Sequence, residues 1–294
     1  MVSKKAYVMI ILAVILWSST FTFIQIGLKE VTPIYIGALR FVIASMLLIV
    51  YVLIKFKIEE IKNFTKNNFI ILTALGIFGI TIPNIVQNIG MLFVTASMAS
   101  ILQNSSPAFT LLLASIFLNE YIGFKKIIGL IISFIGVVLI SIDNGSISIV
   151  GENYYSLYGN ILIIISALCY SIYFILSKKI IKDNHPALIL AISTVIGTIL
   201  LSIVSIGVEP IDFSFSKLTW FAIIMMAIFG SVISTLMYFK ALKEFEVSKI
   251  NFFTLLIPIF AIIQAHIILG DVLQPNQIVF GALILFGIWI AQKE

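Results

Sequence analysis

The sequence predicts an all-α integral membrane protein, with ten transmembrane helices arranged as two inverted five-helix repeats. The first observation is the composition: of 294 residues, 61% are hydrophobic and only 11% are charged. A soluble domain is nearer half apolar and a quarter charged, so lipid must cover most of this surface. The second is a series of ten apolar stretches, each close to the ~20 residues that cross a bilayer as a helix. The third is an internal repeat at an offset of 151 residues.

The predicted spans follow one another with mostly short connections. Their approximate limits are 7–28, 33–54, 69–92, 95–118, 123–142, 156–178, 186–207, 217–239, 248–269 and 276–292. The first run follows MVSKK and is too long for the apolar region of a signal peptide, so we expect an uncleaved helix. The most polar break, DNGSISIVGEN, separates two predicted domains, residues 1–145 and 152–294.

The positive charges predict the orientation of these spans. Fifteen of the eighteen Lys and Arg residues fall in segments on the N-terminal side of the membrane, and only Lys29 and Lys217 fall in loops on the other side. Cytoplasmic loops carry the excess of Lys and Arg, so we expect both termini in the cytoplasm and the chain in the cell membrane. The net charge of +5 is therefore a signal of topology, and we expect no nucleic-acid partner.

The repeat is visible as identical residues in the two halves. Pro107 matches Pro258 at an offset of 151 and Glu120 is matched by Asp271, while the first two spans of each half align at an offset of 153. Five spans is an odd number, so the second copy must enter the membrane from the opposite face. Inverted pairs of this kind are the usual construction of secondary transporters, in which a central site opens to each face in turn.

Several local patterns resemble a known family. WSSTF at 17–21 lies in the first span, and Arg40-Phe41 follows Pro33 in the second. Each half ends with a carboxylate and spaced glycines, in Glu120…Gly129…Gly136 and Asp271…Gly281…Gly287. In this order the patterns resemble the EamA-like family of the drug/metabolite transporter superfamily. The resemblance implies movement of small metabolites or amino acids, commonly outward. Ser193 stands where the second half would match Arg40, so we expect the halves to differ in role.

Two polar stripes form the best candidate for a pocket wall. Asn84, Gln87 and Asn88 share a face of the third span, and Ser100, Gln103 and Asn104 share a face of the fourth. Polar groups inside a membrane are costly and normally face the bundle interior or a wet cavity. The alternative is that these side chains join helices through hydrogen bonds, each worth only ~0.6 kcal/mol on average.

Further residues complete the predicted site. The substrate-binding set also includes Trp17, Tyr170, Tyr238, Asn251 and Thr254, which would add aromatic and polar surface. The gate, hinge or coupling set is Arg40, Pro107, Glu120, Pro258 and Asp271. Each has a structural alternative: the prolines could be static kinks, and the carboxylates could be interfacial caps. Arg40 could attract a substrate carboxylate or phosphate, or could snorkel or pair with an outer carboxylate such as Asp271.

The pattern argues against other function classes. The single cysteine, Cys169, excludes an intramolecular disulfide and a cysteine metal cluster. We find no nucleophile–base pair and no phosphate-binding loop, so we expect neither enzymatic activity nor a cofactor. The sequence predicts a secondary transporter of a small amino-acid-like metabolite that works by alternating access, with export as the expected direction and a monomer or homodimer as its state. The alternatives are a multidrug or quaternary-cation exporter, which would need a membrane-buried carboxylate, and a non-transporting membrane scaffold.

Overall fold

The protein is described by a computed structural model that covers residues 3–118, 123–142, 152–245 and 247–292. Within these ranges it consists of helices and their connections, with no strand. Five helical units come from the first half of the chain. They are α1 (Lys4–Gly27), α2 (Pro33–Lys55), α3 (Ile58–Gly76, Ile77–Thr81 and Ile82–Gly90), α4 (Ala96–Gln103 and Ser106–Leu118) and α5 (Phe124–Ile142).

The second half forms units of the same kind. They are α6 (Glu152–Ile181), α7 (Pro186–Val208), α8 (Lys217–Met225, Met226–Ile233 and Ser234–Glu244), α9 (Val247–Thr254 and Leu256–Leu269) and α10 (Pro275–Gln292). Within the described residues, seven of the helices are long and apolar enough to cross a membrane, and shorter apolar helices occupy Leu256–Leu269 and Pro275–Ile290. Large hydrophobic side chains such as Ile54, Ile70 and Phe124 are exposed, as expected for a surface that faces lipid.

Local sequence signals start these helices. Ser3, Thr95 and Ser216 stand just before α1, α4 and α8, and each side-chain oxygen accepts a hydrogen bond from a backbone N–H of the first turn. Such caps satisfy donors that have no partner within the helix. Pro33 and Pro186 are the first residues of α2 and α7, where the missing N–H of proline needs no partner.

The helices are interrupted at matching places in the two halves. The central part of α3 is π-helical over Ile77–Thr81, and that of α8 is π-helical over Met226–Ile233. At the offset of 151, residues 77–81 correspond to 228–232. Similarly, α4 breaks at residues 104–105 and α9 breaks at residue 255, three residues before Pro107 and Pro258. Because π-helical turns and prolines disturb the normal hydrogen-bond ladder, both halves interrupt the corresponding helices at equivalent positions.

Contacts between the halves are reciprocal. A Cβ added at Gly136 would lie 2.8 Å from Ile284 Cγ1, and one added at Gly287 would lie 2.5 Å from the Ser133 nitrogen. Gly287 corresponds to Gly136, and Ile284 corresponds to Ser133, at the offset of 151. These glycines therefore let α5 and α10 pack closely, and each helix uses the same surface against the other. Such self-complementary contacts are typical of a two-fold relation.

Two hydrophobic clusters hold the helices together. One contains Ala6, Leu72 and Leu242, and the other contains Ile36, Met91 and Ile163. Buried hydroxyls and amides, among them Ser171 and Asn104, accompany them in the interior.

One boundary differs clearly from the sequence prediction. We expected the third span to begin at residue 69, but α3 begins at Ile58. The extra turns carry Glu59 and Glu60 in the first turn, where carboxylates interact favourably with the helix dipole. Hydropathy could not place this start, because a helix can continue into water beyond the apolar stretch that crosses the membrane.

Candidate functional site

A central cavity lies where the two hydrophobic clusters meet. It has a volume of about 980 Å³ when its open part is included, and its wall is formed by α1, α2, α3, α4, α6, α7, α8 and α9. Phe174 and Leu190 of one cluster and Phe21 and Ile80 of the other both contribute. The predicted site residues in this wall are Trp17, Arg40, Gln87, Ser100, Gln103, Asn104, Pro107, Tyr170 and Thr254.

The polar stripe on α4 supplies hydrogen-bonding groups to the cavity. Gln103 Oε1 and Asn104 Nδ2 are buried and have no hydrogen-bond partner among the described residues. Ser100 Oγ instead donates to the Ser97 carbonyl at 2.7 Å. From α3, Gln87 Oε1 accepts from Ser166 Oγ at 3.3 Å. Because buried polar groups are normally paired, these two orphan amide atoms are candidates for binding a solute.

Asn84 and Asn88 lie on the predicted stripe but outside the cavity wall. Asn84 Nδ2 donates to the Ile80 carbonyl at 2.7 Å within α3, and Asn88 Nδ2 donates to the Pro33 carbonyl of α2 at 3.0 Å. The bond from Asn88 joins two helices, which is the packing alternative to substrate binding.

An aromatic cluster forms one side of the cavity. Trp17 and Tyr170 lie in its wall, and Tyr238 lies behind Trp17 with a centroid distance of 5.0 Å and no exposed surface. Phe174 also contacts Tyr238, at 4.8 Å between centroids. Tyr238 was predicted to bind substrate, but in the structure it packs behind the cavity wall and does not line the cavity.

Arg40 is the one charged residue in the described wall of the cavity. Its side chain is 7% exposed, its Nε donates to Ser231 Oγ at 2.8 Å, and its Cζ lies 4.9 Å from the centroid of the Phe41 ring. Asp271 is not its partner, because Asp271 Oδ2 accepts from the Ser97 backbone N–H at 3.0 Å. Asp271 thus caps a backbone N–H at the start of α4.

Other carboxylates make similar caps between the halves. Glu209 accepts from Thr32 Oγ1 and from the backbone N–H groups of Ile34 and Tyr35 at the start of α2. Glu30 accepts from the Ser216 N–H at the start of α8, at 2.7 Å, and hydrogen bonds from Ser216 lower the pKa of this carboxyl group. Sequence inspection missed this arrangement because the partners are about 175 to 186 residues apart.

Several wall residues were not predicted from the sequence. Thr20, Ser231 and Thr235 bring hydroxyls to the cavity, and Gly79 and Gly230 bring the π-helical segments of α3 and α8 against it. The repeat contained a signal for the glycines, because Gly79 and Gly230 match at the offset of 151. Pro258 is buried outside the described wall. Glu120 and the side chain of Asn251 lie outside the described residues.

The described residues do not include a group of three or more His, Cys, Asp or Glu that could hold a metal ion. The described wall of the cavity presents amides, hydroxyls, aromatic rings and one guanidinium group. Comparison with protein families gives this arrangement a context. The model of the EamA-like transporter family matches residues 4–142 and again residues 157–292.

The chain belongs to the EamA-like transporter family. This EamA-like protein is 28% identical to an uncharacterized transporter of Archaeoglobus fulgidus over 99% of both chains. It is 27% identical to the uncharacterized transporter YyaM of Bacillus subtilis, over 97% of this chain and 92% of that one. It is also 24% identical to the S-adenosylmethionine/S-adenosylhomocysteine transporter of Chlamydia trachomatis, over 98% of this chain and 89% of that one.

The fold of this EamA-like protein is shared with a solved structure. A crystal structure of a protein matches it with a TM-score of 0.69 and 17% identity, over 97% of this chain and 96% of the other. The family and the names of the relatives point to a multi-pass membrane transporter and not to an enzyme. Membership also implies a lipid bilayer and a small-molecule substrate as partners.

Proposed function

We propose that this EamA-like protein is a secondary transporter that moves a small amino-acid-like metabolite across the cytoplasmic membrane by alternating access, in the direction of export. The observation that carries the proposal is the composition of the central cavity. Its wall combines aromatic rings, orphan amide atoms and Arg40, with no carboxylate among its described residues. A partly apolar solute that carries both donors and an anionic group fits such a wall.

The proposed architecture is ten transmembrane helices in two inverted repeats, residues 1–145 and 152–294, with both termini cytoplasmic. The double match to the family model, over 4–142 and 157–292, supports this division. The equivalent π-helical segments and helix breaks of α3 and α8, and of α4 and α9, support it further. Inverted repeats place a solute site at the repeat interface near the bilayer midplane, and a cavity whose wall contains residues from both halves supports such a site.

The substrate class is supported by a relative as well as by the cavity. One relative carries the name of a transporter for S-adenosylmethionine and S-adenosylhomocysteine, and both of these compounds contain an α-amino acid group. An exporter of quaternary cations that lack a carboxylate fits less well, because the charged group in the described cavity wall is the guanidinium of Arg40. A like charge at the binding site disfavours a cation.

The first experiment is a thermal-shift screen of the detergent-solubilised protein against amino acids and related metabolites. A solute that binds the folded state raises its melting temperature by mass action. Gln103→Leu and Asn104→Leu should each abolish that shift, because each removes an orphan amide from the wall. Asn67→Leu is the matched control, since Asn67 is an exposed amide near the start of α3.

Transport itself is measured with proteoliposomes that contain the solute identified in the screen. Movement of labelled solute in exchange for unlabelled solute supports the proposal. The proposal is contradicted if the protein moves none of these solutes under any gradient and is not stabilised by them. That result would favour the alternative of a non-transporting membrane scaffold.

A further inference from the structure

We infer that Arg40, Thr20 and Ser231 form an anion-recognition subsite that takes the carboxylate of the transported solute. The inference rests on the proposed transport function and assigns part of its specificity to these three residues. They come from α2, α1 and α8, and all three lie in the wall of the central cavity. Thr20 and Ser231 are 6% and 5% exposed.

One side of the guanidinium group is fixed by the protein. Arg40 Nε donates to Ser231 Oγ at 2.8 Å, and Ser231 Oγ lies 3.3 Å from the Met226 carbonyl, to which it donates. The Phe41 ring lies beside Cζ at 4.9 Å. Ser231 belongs to the π-helical segment Met226–Ile233, so the unusual turn of α8 positions the hydroxyl that orients Arg40.

The Nη nitrogens of the guanidinium group make no hydrogen bond to the described residues. An arginine carries five N–H donors, and one hydrogen bond from Arg40 is present, through Nε. Thr20 Oγ1 is also buried without a partner. Both groups meet at Gly230: a Cβ there would lie 2.6 Å from Thr20 Oγ1 and 3.5 Å from Arg40 Nη2. Because glycine has no side chain, Thr20 Oγ1 and Arg40 Nη2, neither of which has a hydrogen-bond partner among the described residues, can come close together at the cavity.

A buried arginine with one hydrogen-bond partner, a neutral hydroxyl, is difficult to explain as a structural residue. Charged side chains inside a membrane are costly and are normally paired, and here the described wall provides no carboxylate. An anionic solute would supply the missing charge and accept from the free Nη donors. Planar, two-bond recognition of a carboxylate is the geometry for which a guanidinium group is suited.

A carboxylate fits this subsite better than a phosphate monoester. The subsite contributes one positive charge, so a dianion would leave a negative charge uncompensated in a largely apolar cavity. An α-amino acid would also bring an ammonium group, for which Gln103 Oε1 is an acceptor without a described partner in the same wall.

Arg40 is the chain's single arginine, so the subsite can be observed directly. Protein made with guanidino-15N-arginine and reconstituted in nanodiscs will report Arg40 alone by NMR. The probes are L-leucine and L-phenylalanine, their carboxamides, acetate and inorganic phosphate. We expect the amino acids to change the Arg40 signals saturably, and the carboxamides, which keep the ammonium group and lack the carboxylate, to leave them unchanged.

Variants test the same assignment by affinity. Arg40→Gln should weaken amino-acid binding by about 10- to 100-fold, the range for a hydrogen bond to a charged group, and Arg40→Lys should recover part of the loss. Lys217→Gln is the matched control, because it removes an equal charge from an exposed site at the start of α8. The NMR comparison of acids with amides uses wild-type protein and stands even if an Arg40 variant does not fold.

Equal responses to acids and amides, a response to phosphate alone, or no response to any probe would overturn the inference. The transport proposal is tested separately with labelled amino acids in proteoliposomes. If carboxylates bind at Arg40 and nothing is transported, the subsite stands and the transport proposal fails. If Arg40→Gln transports amino acids as well as the wild type, the transport proposal stands and the subsite assignment is wrong.

Discussion

Gly230 is the residue at which backbone geometry and the chemistry of the cavity are most closely connected. It lies in the π-helical segment of α8, and Thr20 and Arg40 both lie close to the position that a Cβ would occupy there. Its counterpart at the offset of 151, Gly79, lies equally close to Tyr173, with a would-be Cβ only 2.3 Å from the ring. Thr20 corresponds to Tyr173 at the offset of 153, so the two halves use the same close approach with different side chains.

We predict that Gly230→Ala lowers the affinity for the transported solute about tenfold, which corresponds to about 1.4 kcal/mol. The new methyl group would displace Thr20 Oγ1, now 2.6 Å away, and would crowd Arg40 Nη2. The measurement is the binding isotherm of the detergent-solubilised protein. Gly207→Ala is the control, because a Cβ there meets nothing within 4 Å. Equal affinities for the two variants would contradict the prediction.

Whether an individual wall residue could be predicted from the sequence depended on the size and polarity of its side chain. Gln103 and Asn104 stood out because large amides in an apolar span need an interior or a cavity. Ser231 did not, since a small hydroxyl can bond to its own helix, as Ser231 does to the Met226 carbonyl. Asn88 shares its helix face with Gln87, but which neighbouring helix lies across from each residue depends on the tertiary structure.

At the scale of elements, the start of α7 depends on a histidine. His185 caps the helix by accepting from the Ala187 N–H through Nδ1, and its Nε2 lies 3.2 Å from Lys55 Nζ. Partial burial lowers the pKa of His185 from its usual 6.5, and the positive charges of Lys55, Lys243 and Lys240 lower it further, against an opposing effect of Glu60. The folded protein thus favours the neutral ring, which can accept the capping bond.

We predict a loss of stability as the pH falls through about 6.5. The unfolded chain takes up a proton at His185 near that pH, and the folded chain resists protonation. The contribution of neutral His185 to the free energy of unfolding is therefore complete above pH 6.5 and is lost as the pH falls towards the lower pKa of the folded state. His185→Asn keeps a capping acceptor that does not titrate, and its melting temperature should fall less between about pH 7 and pH 5. His266→Asn, which removes the other histidine, is the control. Parallel pH profiles for wild type and His185→Asn would refute this.

The break in α4 is the second element-scale feature with a functional consequence. Residues 104–105 form a turn between two helical segments, and Pro107 follows without an N–H to continue the ladder. We predict that Pro107→Ala slows transport about tenfold, a barrier increase of about 1.4 kcal/mol, because a continuous helix would resist the bending that alternating access requires. Solute binding, measured by thermal shift, should persist.

The matched substitution is Pro186→Ala. Pro186 is the first residue of α7, where proline does not break a helix, so its variant should transport at the wild-type rate. If Pro107 were a static kink, Pro107→Ala would lower the melting temperature and leave the rate per folded molecule unchanged.

The helices could be predicted from the sequence where the composition of a segment alone determines its structure. The apolar stretches and their proline and serine caps mark the helices, and Pro107 lies just after the observed break of α4 at residues 104–105. The π-helical segments of α3 and α8 were not predictable, since they depend on side-chain contacts with other helices. Thr81 illustrates this, because its Oγ1 lies within hydrogen-bond distance of both the Gly76 carbonyl and the Gly197 carbonyl of α7.

At the scale of the whole molecule, the two halves are held together by contacts of two kinds. Glycines such as Gly136 and Gly287 allow close and reciprocal helix packing between α5 and α10. Carboxylates cap helices of the other half, as Glu209 does for α2 and Asp271 does for α4. In the proposed orientation Glu209 and Asp271 lie on the outer face, so the proposed alternating access would separate these caps when the cavity opens outward.

That inference requires the proposed orientation, which cysteine labelling can test. We predict that Lys125→Cys and Lys182→Cys react with a membrane-impermeant maleimide only from the cytoplasmic side, and that Lys29→Cys and Lys217→Cys react only from outside. All four lysines are exposed, and each substitution is made in a Cys169→Ser background. Cys169→Ser protein without an added cysteine is the control for background labelling, and wild-type protein, in which Cys169 is 6% exposed, should also label little. Lys182 is preferable to Lys178, whose Nζ donates to the carbonyls of Leu242 and Phe245.

Labelling of Lys125→Cys and Lys182→Cys from opposite sides would mean that the halves are not inverted. Alternating access about a central cavity would then lose its structural basis.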